Sequence, residues 1–185
     1  MRLIAAVSEE LGDLDGVPVG IGPVVAGVNA ARLLASEPPS AVLLIGTCGA
    51  YPGRGSIGDV IVGTRIGFAS GVASIGLGYT PRPPAPVTCD GSLSAGVEAR
   101  RAAVLTCPAV STDPGLVERL GDGWDVEHLE AFGVAFACHQ AGVPFAVVLG
   151  VANIVGPDAH VEWLTHREAA QEAARQTARE LLALH

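Results

Sequence analysis

The sequence has no lysine, and its charged and aromatic side chains are few for a chain of 185 residues. All 11 basic residues are arginines, and 19 acidic residues outnumber them, so the formal net charge is −8 at pH 7. A nucleic-acid-binding protein needs a basic surface for the phosphate backbone, whereas the only small basic cluster here is Arg100–Arg101. We therefore expect no nucleic-acid partner.

Long apolar segments are also absent from the sequence. The longest one, residues 143–154, is shorter than the ~20 residues of a transmembrane helix and contains Pro144 and Asn153. The chain becomes acidic at Glu9 and Glu10, whereas a signal peptide combines a basic start, an apolar stretch and a small-residue cleavage site. These features predict a cytoplasmic protein with no membrane partner.

The four cysteines do not form a metal-binding or dithiol motif, because no CxxC pattern occurs. Cys48 and Cys138 stand in apolar surroundings, where a cysteine is typically a small buried hydrophobic side chain. His160, Glu162 and His166 do not form an HExxH pattern. We predict neither a metal site nor a cofactor.

The sequence is instead rich in small aliphatic side chains and glycine. Hydrophobic residues make up 49% of the chain although only 4% are aromatic, and there are 24 glycines and 13 prolines. Disordered chains have low hydrophobicity and high charge, so this composition excludes disorder. The length is typical of one domain, and we predict a single domain over residues 1–185.

Short apolar strands alternate with helical segments along the chain. This order predicts a three-layer α/β/α sandwich around a central, mostly parallel mixed sheet. A capping box formed by Thr165 and Glu168 predicts the start of the last helix at Thr165. The predicted strands are 3–7, 41–45, 59–62, 102–106 and 144–151, the predicted helices are 24–36, 113–120, 127–141 and 165–184, and 67–92 is predicted to be irregular.

Polar or glycine-rich segments stand at several predicted strand ends, namely residues 8–10, 20–22 and 46–49 and Asn153. Ligands of open α/β sheets bind at the carboxyl ends of the strands. Glu130 lies in an apolar segment, and a buried carboxylate costs several kcal/mol unless it is paired. Each signal is weak alone, because two glutamates are also typical of a solvent-exposed strand exit and a GxG of a simple turn.

Three segments in a fixed order resemble one enzyme superfamily. They are GTCGAYPGRGSIGDVIV (46–62), DVEHLEAFGV (125–134) and VANIVG (151–156), the last followed by Trp163. They are similar to the nucleoside phosphorylase/nucleosidase superfamily, and within it most similar to the futalosine hydrolases. The patterns there are GxAGAYPGSG…VGD, E-x-M-E-G-A and I-S-N-x-V-G. The resemblance covers residues 1 to about 66 and 103–184.

The resemblance implies cleavage of an N-glycosidic bond through an oxocarbenium-like ribosyl transition state. Glu10 matches the carboxylate that orients and deprotonates the attacking water, which requires reach and a suitable pKa. Glu130 matches the carboxylate that binds the ribose hydroxyls, and its charge suits a cationic sugar. The implied substrate-binding residues are Thr47, Cys48, Gly49, Val110 near the purine and Leu129 under the sugar.

Asn153 matches the position that separates substrates in this superfamily. Nucleosidases acting on methylthioadenosine and S-adenosylhomocysteine carry Asp there, whereas an Asn side chain offers two N–H donors. Two donors suit N7 and O6 of a 6-oxopurine such as hypoxanthine, the base of futalosine. The resemblance thus predicts hydrolysis of futalosine or a close 6-oxopurine nucleoside, in menaquinone biosynthesis, with Asn153 as a third catalytic residue. The leaving base would be stabilised by hydrogen bonding or protonated by water.

Two other enzyme activities of the same superfamily stay open, those of a methylthioadenosine/S-adenosylhomocysteine nucleosidase and of a purine nucleoside phosphorylase. The related phosphorylases carry an arginine for phosphate just before the G-S/T-x-G turn, where this chain has apolar residues 43–45. Water is therefore favoured as the nucleophile, although Arg32, Arg54 and Arg65 offer other phosphate contacts.

The chain also departs from the family pattern. His128 stands inside the E-x-M-E motif, Ala131 replaces the glycine that follows it, and Leu149 replaces an arginine. These departures leave open a catalytically weakened nucleoside-binding protein. The resemblance and the apolar composition together predict a homodimer or a higher homo-oligomer that takes a small-molecule purine nucleoside.

Overall fold

A computed structural model describes residues 1–184 of the chain and has the predicted α/β/α architecture, with a mixed sheet between helices on both faces. The strands are β1 (Arg2–Ala5), β2 (Val17–Pro18), β3 (Val42–Ala50), β4 (Val60–Phe68), β5 (Val87–Thr88), β6 (Arg100–Thr106), β7 (Val126–Glu127) and β8 (Phe145–Ile154). The helices are α1 (Ser8–Leu11), α2 (Pro23–Ser36), α3 (Gly71–Ser74), α4 (Pro114–Leu120), α5 (Ala131–Ala141) and α6 (Ala159–Leu184).

The sheet is mostly parallel, as predicted. Strands β1 and β2, β1 and β3, β3 and β8, β4 and β6, and β6 and β7 pair in parallel. Strand β4 runs antiparallel to β8 and β5, and the two-residue strand β7 runs antiparallel to the end of β3. Because β7 pairs with both β3 and β6, it brings the segment after Glu127 to the carboxyl end of β3.

The central strands are buried on both faces, which explains their nearly continuous apolar sequences. Helices α2 and α5 cover one face and α6 covers the other. Two close approaches require glycine. A Cβ at Gly133 would lie 2.1 Å from the carbonyl oxygen of Pro23 in α2, and one at Gly150 would lie 2.0 Å from that of Ala170 in α6.

Several predicted boundaries were wrong. The last helix begins at Ala159, and Thr165 lies inside it, where its hydroxyl donates to the carbonyl of Val161 instead of capping an end. The helix predicted from residue 127 begins at Ala131, and Glu127 itself belongs to strand β7 and pairs with Gly49 of β3. The first strand ends at Ala5 rather than residue 7, and the polar segment after it forms the single helical turn α1.

The segment 67–92, predicted to be irregular, contains the end of β4, α3, β5 and the start of a 3₁₀ turn over Gly91–Ser94. All four cysteines are buried free thiols, as predicted for Cys48 and Cys138. Within residues 1–184, no helix combines the length and the hydropathy needed to cross a membrane.

Candidate active site

A cavity of about 800 Å³ opens at the carboxyl ends of β1, β3 and β8. The structure brings all the predicted site residues to its wall. They are Glu10, Thr47, Cys48, Gly49, Val110, Leu129, Glu130 and Asn153. Residues that the sequence did not predict for the site also line it, among them Glu127, His128, His160, Trp163 and Arg167.

Glu10 is a buried carboxylate held by backbone amides. Its two oxygens accept hydrogen bonds from the N–H groups of Ala6 at 3.1 Å and Thr47 at 3.2 Å. Ala6 follows β1 directly and Thr47 lies within the neighbouring strand β3, so the parallel pairing of these strands positions both donors. Burial and, secondarily, the negative charge of Glu130 raise the pKa of Glu10 to about 7. A carboxylate with that pKa is suited to act as a general base near neutral pH.

Gly46 lies beside Glu10 and His128. A Cβ at this position would lie 2.9 Å from Oε1 of Glu10 and 3.2 Å from Nε2 of His128. A side chain at this position would push against both groups, so the close approach of Glu10 and His128 requires the glycine that begins the GTCG segment.

Glu130 is the second buried carboxylate, and it immediately precedes α5. Its Oε1 accepts a 2.8 Å hydrogen bond from the N–H of Gly22. Gly22 has φ +85°, a conformation that favours glycine. The GxG turn at residues 20–22 therefore binds a side-chain carboxylate of the same protein.

His128 lies between the two carboxylates. Its Nδ1 accepts hydrogen bonds from the N–H groups of Glu130 at 3.2 Å and Ala131 at 3.1 Å. A nitrogen that accepts carries no proton, so the imidazole is neutral and its proton is on Nε2. Burial lowers the pKa of His128 and outweighs the nearby negative charge of Glu130. The 3.5 Å approach of Nδ1 to the Glu130 carboxylate is therefore not an ion pair at neutral pH.

Asn153 lies at the base of the cavity, near the end of β8. The register between β3 and β8 shifts there, so that Gly49 pairs with Asn153 while Cys48 pairs with Val151. Such bulges redirect side chains. The amide nitrogen of Asn153 lies 2.6 Å from the point where a Cβ of Gly49 would stand. Within residues 1–184 the Asn153 side chain has no hydrogen-bond partner, which leaves its amide available to a ligand.

Helix α6 carries an aromatic and cationic pair along the cavity wall. The indole N–H of Trp163 donates to the hydroxyl of Thr47 at 3.0 Å, and the guanidinium of Arg167 lies 5.0 Å from the indole ring centre. Trp163 is part of the family pattern found in the sequence, but its contact with Thr47 joins two segments 116 positions apart. Such a contact leaves no local sequence signal.

The same helix contacts both ends of the site. Near its start, Glu162 accepts a 2.8 Å hydrogen bond from the N–H of Ile154, next to Asn153. Further along, Arg175 donates to the carbonyls of Glu9 at 3.1 Å and Glu10 at 3.4 Å. Helix α6 thus positions α1, and with it Glu10, relative to the end of β8.

Glu127 also lines the cavity, but its carboxylate accepts three hydrogen bonds, more than that of Glu10 or of Glu130. Its oxygens accept from the N–H and hydroxyl of Ser111, at 2.9 and 2.6 Å, and from the phenol of Tyr51 at 3.2 Å. This carboxylate stabilises the loop before α4 and leaves Glu10 and Glu130 as the pair that faces the cavity.

The arginines proposed from the sequence as phosphate contacts lie elsewhere. Arg32, Arg54 and Arg65 do not line this cavity, and Arg65 donates to the carbonyl of Gly123 and stacks on Trp124. Among the described residues that line the cavity, Arg167 is the only arginine.

Comparison with known proteins identifies the family. The family model described as "Phosphorylase superfamily" matches residues 15–184. The chain belongs to the phosphorylase superfamily. Among its relatives in the superfamily, the futalosine hydrolase of Thermus thermophilus is 33% identical over 175 residues, covering 86% of this chain and 77% of that protein.

A second class of relatives in the superfamily carries a different name. The 5′-methylthioadenosine/S-adenosylhomocysteine nucleosidase of Halalkalibacterium halodurans is 24% identical over 182 residues, 88% of this chain and 79% of that protein. Solved structures of a nucleosidase and of a futalosine hydrolase are also similar to this fold. The nucleosidase of Helicobacter pylori, in complex with a substituted pyrrolidinol, has TM-score 0.86, 16% identity and coverage of 100% of this chain and 97% of that one. The futalosine hydrolase of the same organism has TM-score 0.85, 15% identity and coverage of 100% and 98%. The predicted family and fold are confirmed.

Proposed function

We propose that this protein hydrolyses the N-glycosidic bond of purine nucleosides, with a 6-oxopurine nucleoside such as futalosine as its substrate. One observation carries the proposal. Two buried carboxylates, Glu10 and Glu130, and the unpartnered amide of Asn153 face one cavity of about 800 Å³. The relatives named as nucleosidases and as a futalosine hydrolase support it.

In the proposed reaction, Glu10 removes a proton from a water molecule that attacks C1′ of the ribose. The new bond forms between the water oxygen and C1′, and the C1′–N9 bond breaks with its electron pair moving to the purine. Positive charge develops on the ribosyl group, and Glu130, already oriented by the N–H of Gly22, binds the ribose hydroxyls and stabilises that charge.

Asn153 is the basis of the proposed base preference. Its amide N–H groups donate to N7 and O6 of a 6-oxopurine, both of which are acceptors. An amide has no proton to transfer to the leaving base. Hypoxanthine is more acidic than adenine, so it departs more readily without being protonated by the protein, and this favours a 6-oxopurine substrate of the futalosine type and a place in menaquinone biosynthesis.

A methylthioadenosine/S-adenosylhomocysteine nucleosidase is the second candidate. An Asn side chain can also pair with adenine, since its oxygen accepts from the 6-amino group while its nitrogen donates to N7. The relatives of that name, such as the one from H. halodurans, support this candidate.

One assay separates the candidates. Purified protein is incubated with futalosine, inosine and methylthioadenosine, with and without phosphate, and base release is followed by chromatography. Hypoxanthine release that is independent of phosphate is expected. Release from methylthioadenosine alone would refute the role given to Asn153, and a requirement for phosphate would refute hydrolysis. Tight binding without turnover would favour a nucleoside-binding protein.

We also propose that the protein is a homodimer. Three large aliphatic side chains are exposed: Ile21, which lines the cavity, by 63%, and Val24 and Val28 of α2 by 75% and 55%. The two valines share one face of α2 because they are four residues apart. Light scattering after gel filtration is expected to give twice the mass of one chain. The double variant Val24→Glu/Val28→Glu is expected to give the mass of one chain, and a wild-type monomer would contradict the proposal.

A further inference from the structure

We propose that the Nε2–H group of His128 binds the attacking water together with Glu10, so that the histidine is a catalytic residue of this protein. This inference rests on the proposed hydrolysis of a nucleoside. The reaction proposed above gives the imidazole no role, although it lies between the two carboxylates that take part.

The orientation of the imidazole is fixed by the backbone. Nδ1 accepts from two N–H groups, those of Glu130 and Ala131, so Nε2 must carry the proton. The side chain is only 2% exposed, yet no group within residues 1–184 accepts a hydrogen bond from Nε2. Since every fully buried side-chain nitrogen and oxygen in that range has a partner, Nε2 must reach the cavity surface.

The donor faces the same space as the proposed base. Nε2 of His128 and Oε1 of Glu10 lie 3.2 and 2.9 Å from one point, the place where a Cβ of Gly46 would stand. The two atoms are therefore within about 6 Å of each other. One water molecule with ordinary hydrogen-bond lengths of about 2.9 Å spans that distance.

Each group of such a water is accounted for. Its oxygen accepts a hydrogen bond from Nε2–H, one of its protons points to Oε1 of Glu10, and its second proton stays on the oxygen as the C1′ hydroxyl of the product. The remaining lone pair is directed at C1′, where the O–C1′ bond forms as the C1′–N9 bond breaks. The proton passes to Glu10, and His128 stays neutral and keeps its own proton throughout.

A purely structural role predicts something different. Since Nδ1 satisfies two N–H groups at the start of α5, His128 could serve only as a helix cap. Two amide substitutions separate the roles. The oxygen of His128→Asn stands near Nδ1 and preserves the capping bonds without a donor at Nε2, whereas the longer His128→Gln places an amide near Nε2 and loses the cap.

The test compares kcat and KM for base release by wild type, H128N and H128Q, with thermal unfolding as the folding control. H128N is expected to lose about 10²-fold in kcat, as for removal of one preorganised donor, with KM within about threefold and the fold intact. H128Q is expected to be less stable and yet to recover part of kcat. H128N with wild-type kcat, or folded H128Q with no more activity than H128N, would overturn the role of His128.

The protonation state of His128 can also be measured without any substitution. Nitrogen-15 NMR of histidine-labelled wild-type protein is expected to report Nε2 as the protonated nitrogen of His128 at pH 7, and protonation at Nδ1 would overturn the geometry without any variant. If wild type released no base from any nucleoside tested, the proposed function and this inference would fail together. Active wild type with unaffected H128N would overturn only the inference.

Discussion

Replacing Glu10 with Gln should change how the stability of the protein depends on pH. The pKa of this carboxyl rises from 4.5 to about 7 on folding, first through burial and then through the charge of Glu130. Below pH 4.5 the group is neutral in both the folded and the unfolded chain and contributes nothing. As pH rises from 4.5 to 7 the unfolded chain ionises first, so the folded state loses stability.

The magnitude follows from the two pKa values. At about 1.4 kcal/mol for each pKa unit, the ionised Glu10 lowers the free energy of unfolding by about 3 kcal/mol above pH 8, and by less than about 1 kcal/mol at pH 5. Glu10→Gln carries no charge at either pH. The loss of stability between pH 5 and pH 8 should therefore be about 2 to 3 kcal/mol larger in wild type than in this variant.

Urea denaturation of both proteins at pH 5 and pH 8 measures this difference, because all other titrating groups are common to the pair. Ionisation of Glu10 should also control activity, which is expected to rise with pH while stability falls. The value of kcat/KM is expected to rise with pH to a plateau with a midpoint near 7, since the base must be ionised, and Glu10→Gln should abolish turnover. Equal pH dependence of stability in the two proteins, or a flat rate profile from pH 5.5 to 8, would refute the reasoning.

Four other substitutions are expected to have distinct effects. Glu130→Gln should abolish turnover while far-ultraviolet circular dichroism stays unchanged; activity surviving it would mean that the ribose carboxylate is elsewhere. Gly46→Ala should lower kcat/KM by about 10²-fold, since its Cβ displaces two reacting groups; near-normal kinetics would contradict the shared space. Asn153→Asp should raise kcat/KM for methylthioadenosine relative to futalosine, and an unchanged ratio would exclude this position from base selection. Gly133→Ala should lower the free energy of unfolding in urea by about 3 kcal/mol, because its Cβ clashes with α2. The control Gly91→Ala, where a Cβ meets nothing within 4 Å, should lower it by about 0.5 kcal/mol or less. Equal losses would contradict the close packing of Gly133.

The sequence was informative where local pattern and chemistry agree. Apolar segments predicted the central strands. The helix predicted over residues 113–120 is α4, and Asp113 caps it by accepting a hydrogen bond from the N–H of Leu116. The boundaries failed where tertiary contacts override local signals. The segment 127–130 has helical spacing, but its first residue pairs with Gly49 on β3 and its last precedes α5.

The members of the site could be predicted from strand ends and motif order, but their hydrogen-bond partners could not. Glu10 was as consistent with a solvated strand exit as with a buried carboxylate, because one of its two hydrogen-bond donors, the N–H of Thr47, lies 37 positions away in β3. The role of the GxG turn depends on Gly22 meeting Glu130, 108 positions away. The departure at His128 was visible in the sequence, but its orientation follows from amides that only the start of α5 supplies.

The two anchoring contacts of α6 make this helix a spacer of fixed length. Between Glu162, which binds the backbone beside Asn153, and Arg175, which binds the backbone of α1, the helix rises about 20 Å at about 1.5 Å per residue. Inserting or deleting one residue between them would rotate Arg175 by about 100° away from α1, since a turn holds about 3.6 residues. The position of Glu10, the proposed base, therefore depends on the number of residues between Glu162 and Arg175 in α6.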